Sequence, residues 1–83
     1  MALPDGCDID KLAEMALGLM FLTIHDGGSM PRAWKGLDWD VLRLLYEKGW
    51  ISDPRSKAKS VALTDEGVRL AEAFFEKHFR KRG

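Results

Sequence analysis

The chain has 83 residues, 46% of them apolar and 31% charged, with 13 acids matched by 13 Lys and Arg. That length supports one domain, 1–83, with one small core. A single cysteine, Cys7, excludes an intrachain disulfide. The longest uncharged apolar run, residues 15–24, falls short of the roughly 20 residues that a membrane-crossing helix needs, and MALPDGCDID has neither the basic nor the apolar region of a signal peptide. A cytoplasmic protein is therefore the expectation.

Neutrality conceals a division. Residues 1–53 carry nine acids against five bases, and residues 54–83 carry four acids against eight bases, so the first part is −4 and the second +4. Such asymmetry fits a nucleic-acid face, or two halves or two subunits that attract one another.

Residues 1–7 and 81–83 are expected to be flexible ends. A first helix is predicted over about 9–25, capped by Asp8 or Asp10 and stopped at Asp26-Gly27-Gly28. Ile9, Leu12, Ala13, Ala16, Leu19, Met20 and Ile24 share one face. Met15, Leu17, Phe21 and Leu22 make the opposite side apolar as well. A helix that is hydrophobic all round is buried all round. Either this helix sits at a homodimer interface, with Met15, Leu17, Phe21 and Leu22 against the partner, or its own chain wraps it. Gly18 costs about 1 kcal/mol inside a helix, which a close helix crossing would explain.

The segment GGSMPRAWKG follows, with a short extended piece expected at 32–35. A second helix over about 38–48 has Asp38 as its N-cap, Asp40 in its first turn and Leu37 placed to staple on Leu42. Gly49 stands where a C′ glycine belongs, with Trp50 set to reach back to Leu45. A β-hairpin, about 50–52 and 60–63, turns through Asp53-Pro54-Arg55-Ser56. Thr64 caps a third helix over about 65–80, with Asp65 and Glu66 in its first turn and Lys77, Arg80, Lys81 and Arg82 at its C-terminal end.

Helix, extended piece, helix, hairpin, helix describes an α+β fold. The stretch LRLLYEKGWISD…KSVALTDEGVRLAEAFF resembles the second half of winged-helix modules, in which a Lys-Gly pair leads into the wing and Leu-Thr-Asp-Glu-Gly opens the next helix. Such modules carry a further helix where GGSMPRAWKG stands here. From the first helix to Phe79 the chain is also similar to a family of short, mostly bacterial proteins of unknown function with a winged-helix-like fold. Members carry segments like RAWKGFDWDVL, EKGLISDP, KAKSVVLT and EEG. The matching residues here are Arg32 to Gly36, Asp38 to Leu42, Glu47 to Gly49, Ile51 to Pro54, Lys57 to Val61 and Leu63-Thr64. Leu37 and Trp50 depart from the pattern. The resemblance implies a winged-helix-like fold and no particular activity.

Trp39, Arg43 and Tyr46 lie at i, i+4 and i+7, on one stripe of the second helix. In a winged-helix reading this helix enters a major groove of double-stranded DNA and Arg43 reads a guanine edge. In the other reading Trp39 and Tyr46 pack on a partner subunit or on the first helix, and Asp38, Asp40 and Glu47 repel phosphate. Arg55, Lys57 and Lys59 alternate along the wing, either to touch phosphates or as a solvated hairpin guarded against edge pairing. Trp34 and Trp39 either complete a small core or anchor a protein partner.

Catalysis is not expected. His25-Asp26 are adjacent residues at a helix end and do not face each other as a base and its orienting acid. Cys7, His25 and His78 lack metal-ligand spacing, and GGSM is not a phosphate-binding loop, so no metal or cofactor is expected. The expectation is a non-enzymatic binding module, DNA-associated or regulatory, or else a protein-interaction and homodimerisation module.

Overall fold

The computed structural model describes residues 3–81. It comprises α1 (Ile9–Met20), a 3-10 turn (Phe21–Thr23), β1 (His25–Asp26), β2 (Pro31–Trp34), α2 (Trp39–Glu47), β3 (Ser60–Ala62) and α3 (Asp65–His78). Three helices accompany a three-stranded antiparallel sheet of order β1-β2-β3, an α+β fold.

Each helix opens at the oxygen-bearing side chain that the sequence marks. Asp8 accepts from the Lys11 amide, Asp38 from Asp40 and Thr64 from Gly67, satisfying donors that the first turn leaves without helical partners. The end of α2 is a Schellman motif. Gly49 takes φ +79°, its amide donates to the Tyr46 carbonyl, and the Trp50 amide donates to that of Leu45.

The first helix is shorter than its apolar run suggests. It stops at Met20, and His25-Asp26, expected to end the helix, form β1 instead. Thr23 is the physical reason, because its hydroxyl donates to the Met20 carbonyl and accepts from the Trp34 amide across the turn. Asp26-Gly27-Gly28 then serves as a hairpin turn. Asp26 accepts from the Gly28 amide, Gly28 takes φ +99°, and the Gly27 amide donates to the Met30 carbonyl. Where winged-helix modules carry a further helix, this chain thus has the β1–β2 hairpin.

The extended piece expected at 32–35 is the central strand, β2. It pairs with β1 through His25–Arg32 and with β3 through Ala33–Val61 and Trp34–Ser60. The expected hairpin over 50–52 and 60–63 is reduced to β3 and a single bridge, Ile51–Leu63. Residues 53–59 separate these two sides, and β2 takes most of the ladder on β3.

The core gathers Ala13, Ala16, Leu17 and Met20 from α1, Ala33 from β2, Leu42 and Leu45 from α2, and Ile51, Val61, Leu63 and Ala71 around them. Leu17, expected at an interface, is fully buried in the chain's own core. Phe21, also expected there, packs its ring on Phe75 of α3 with centroids 5.3 Å apart. Gly18 lies where α1 crosses α3: a β-carbon there would stand 3.1 Å from the Phe75 amide nitrogen and 3.2 Å from the Phe79 ring. Of the segments expected to be loose, Leu3 packs against the core, while residues 1–2 and 82–83 lie outside the described residues.

Candidate functional site

Two hollows flank Trp39. One lies between α2 and the start of the 53–59 loop, has a volume of about 380 Å³, and is bordered by Trp39, Arg43, Tyr46 and Arg55. The other lies between Trp34, Trp39 and the tip of the same loop, has a volume of about 510 Å³, and includes Lys57 and Lys59. All of the expected nucleic-acid residues therefore border one of two adjoining depressions, with Trp39 shared by both.

The two hollows differ in charge. In the first, Asp40, Glu47 and Asp53 accompany two guanidinium groups. Arg43 is 3.2 Å from Asp40, and Arg55 holds Asp53 through its Nε at 3.0 Å and its Nη2 at 2.7 Å. Hydrogen bonds from the Arg55 side chain and amide pull the Asp53 carboxyl down to about 2. The same pairing pushes the Arg55 guanidinium above its usual range. Both arginines already have carboxylate partners, and three acids against two bases do not attract a phosphate chain.

In the second hollow no bordering residue is acidic. Lys57 and Lys59 are exposed and carry no ion pair among the described residues. Trp34 is 53% exposed and Trp39 57%. Each indole is nevertheless braced: Trp34 against the His25 ring with centroids 4.9 Å apart, Trp39 by the Lys35 ammonium 5.9 Å from its ring centroid. The expected core-completing role does not hold for either residue, because over half of each side chain faces solvent.

Lys35 fixes the loop that carries Lys57 and Lys59. Its Nζ donates to the carbonyl oxygens of Pro54 at 2.7 Å and Ser56 at 2.6 Å, and its amide donates to that of Lys59 at 3.1 Å. The sequence offers little signal for this role beyond the position of Lys35, between a strand and a capped helix. At the β2–β3 edge, Arg32 donates to the Ser60 hydroxyl at 2.7 Å and carbonyl at 2.6 Å, which supports the strand pair beneath Trp34.

The expected interface residues on α1 separate. Met15 and Leu22 lie on a partly or wholly exposed stripe, Leu12-Met15-Leu19-Leu22, in which Leu19 is 46% and Leu22 65% exposed. Their i, i+3, i+7, i+10 spacing is that of a heptad seam. In the sequence Leu12 and Leu19 share a face with Ala13, Ala16 and Met20; Leu12 does pack partly on the core, whereas Leu19 faces solvent. Tyr46, 44% exposed, borders the acidic hollow rather than α1. Among the described residues no helix is long and apolar enough to cross a membrane.

The family model described as Domain of unknown function (DUF6429) matches residues 8–81. The chain is also 43% identical over 74 residues to an uncharacterized protein, y4hR, from Sinorhizobium fredii (strain NBRC 101917 / NGR234), an alignment that covers 89% of this chain and 96% of that protein. No solved structure matches.

Proposed function

The chain belongs to the DUF6429 family, and we propose that it is a non-enzymatic module that binds nucleic acid on the face formed by Trp34, Trp39, Lys57 and Lys59. The observation that carries this reading is the acid-free hollow, where Lys57 and Lys59, without an ion pair among the described residues, lie beside two braced, half-exposed indoles. Phosphates supply the countercharge for Lys57 and Lys59, and aromatic faces take up bases. Arg43 and Arg55 are peripheral in this reading, because Asp40 and Asp53 already neutralise them.

Fluorescence anisotropy with labelled 20-nucleotide DNA, single-stranded and duplex, at low and moderate salt tests it. Two or three phosphate contacts predict a log–log salt slope of roughly −1.5 to −3. Lys57→Glu with Lys59→Glu should abolish binding, whereas Arg43→Gln should change it less than twofold. Undiminished binding by the double variant would remove this face from consideration.

The α1 stripe favours a second reading, self-association. Leu12, Met15, Leu19 and Leu22 keep heptad spacing from α1 into the 3-10 turn, and exposure rises along them from Leu12, which packs partly on the core, to Leu19 and Leu22, which face solvent. Light scattering on a sizing column should return the mass of a homodimer, and Leu19→Lys with Leu22→Lys should return that of a monomer. A monomeric wild-type chain at millimolar concentration would reject this reading and leave the nucleic-acid one untouched.

A further inference from the structure

We infer that the nucleic acid taken by this face is single-stranded, its unpaired bases stacking on Trp34 and Trp39 while its phosphates run along Lys57 and Lys59. The inference rests on the nucleic-acid reading above and adds which form of nucleic acid fits.

The two tryptophans make the distinction. An indole presents a flat apolar plane, and in a duplex the planes of the bases are already stacked on one another. Only base edges and phosphates are then accessible. An unpaired base offers a free plane, and stacking it on an aromatic side chain weakens binding roughly five- to a hundredfold when that side chain is removed. Trp34 and Trp39 are each held on one side, by His25 and Lys35, and remain more than half exposed. A braced ring loses little freedom on binding, so the arrangement is ready to receive a base.

The helix that would enter a duplex groove argues the same way. Around its exposed surface α2 carries Asp38, Asp40 and Glu47. Of the bases on and just beyond it, Arg43 is paired with Asp40, and Lys48 lies 3.1 Å from Asp10. Inserting that surface between two phosphate chains brings the carboxylates of Asp38 and Glu47 close to them, with Arg43 already offset by Asp40. A single strand avoids this penalty, because it follows the acid-free hollow and does not surround α2. Its path is short, a few nucleotides between the indoles and the lysine-bearing loop that Lys35 holds in place.

Single-stranded DNA and RNA share this chemistry, so both are needed as probes. Titrations would measure intrinsic tryptophan fluorescence and anisotropy with oligo(dT)20, oligo(U)20 and a 20-base-pair duplex at equal salt. At least one single strand is expected to quench the tryptophans and bind tenfold or more tightly than the duplex. Trp34→Ala and Trp39→Ala should each weaken the single strand about tenfold and leave any duplex binding within twofold. Trp39→Phe, which keeps a stacking plane, should recover most of the loss, and circular dichroism should show each variant folded.

Duplex binding equal to or tighter than that of both single strands, unaffected by the tryptophan variants, would overturn this inference and leave the basic face standing. No binding to any of the three probes would overturn both. Equal quenching by a poly-glutamate peptide would also overturn it, by showing that the face selects negative charge without regard to bases.

Discussion

The α-carbon of Gly67, in the first turn of α3, lies so close to the carbonyl oxygen of Trp50 that a β-carbon would collide with it. That oxygen is held in place, because it accepts the Thr64 amide at 3.1 Å while the Thr64 hydroxyl donates to the Gly49 carbonyl at 2.8 Å. The Leu-Thr-Asp-Glu-Gly stretch is thus a joint: threonine ties the end of α2 to the start of α3, and glycine leaves room for the tie. Alanine is favoured over glycine in helices by about 1 kcal/mol, yet at this position overpacking should outweigh that gain. We expect Gly67→Ala to lose about 2 kcal/mol, a fall in Tm of roughly 8–16 °C for a chain of this size. Thermal melting decides it, since a rise in Tm would mean the Trp50 carbonyl is elsewhere.

Gly18 has a milder version of the same constraint. A β-carbon there would meet the Phe75 amide nitrogen at 3.1 Å and the Phe79 ring at 3.2 Å, so α3 would have to yield by a few tenths of an ångström. The helix-propensity gain offsets that adjustment, and Gly18→Ala should stay within about 1 kcal/mol of the parent. Gly18→Leu adds a branched side chain where α1 and α3 meet and should cost about 3 kcal/mol. Urea midpoints of the two variants should therefore differ widely; equal midpoints would contradict the close crossing.

Much of this was legible locally. Asp38, Thr64 and Gly49 mark helix ends through chemistry that acts within three or four residues, and all three act as the sequence implies. The demand of Gly18 for a close helix neighbour was legible for the same reason, as a cost lacking a local explanation. What escaped the sequence depends on distant partners. His25-Asp26 is too short to show a strand period, and its pairing is set by Arg32 and Pro31 across a turn. Hydrophobicity does not distinguish Leu17, fully buried in the core, from Leu19, exposed two positions later. The candidate face was half legible: Lys57, Lys59 and Trp39 stood out by type. The carboxylates that cancel Arg43 and Arg55 became evident only with the side chains in place.

Lys35 links this face to the fold. Its ammonium group joins the carbonyls of Pro54 and Ser56 to the segment leading into α2. Lys35→Met keeps the length of the side chain and removes the donors, leaving those carbonyls to water. Hydrogen bonds to charged groups contribute about 1.5–3 kcal/mol when sheltered, so at this part-exposed site a loss of about 1 kcal/mol is expected. Local opening should respond more than global unfolding. Amide exchange over residues 53–59 should quicken severalfold with little change in α1 and α3. Uniform acceleration across the chain would show that Lys35 supports the whole core instead.

Acid should act on the α1–α3 contact through Glu14. One of its carboxylate oxygens accepts from His78 Nε2 at 2.9 Å and from Lys77 Nζ at 3.0 Å, and Asp8, Asp10 and Lys11 border the same hollow. The His78 bond, followed by that of Lys77, holds the Glu14 carboxyl below its ordinary value of 4.5. A carboxyl depressed in the folded state binds its proton more readily once unfolded. Its contribution is therefore fully present above about pH 4.5 and lost as pH falls through the lower folded value. Glu14→Gln keeps an acceptor of similar shape without the charge. The parent should melt a few degrees above the variant at pH 6, and the gap should close as pH drops from 5 towards 3. A gap that stays constant over that range would mean the carboxylate charge contributes nothing to holding α1 against α3.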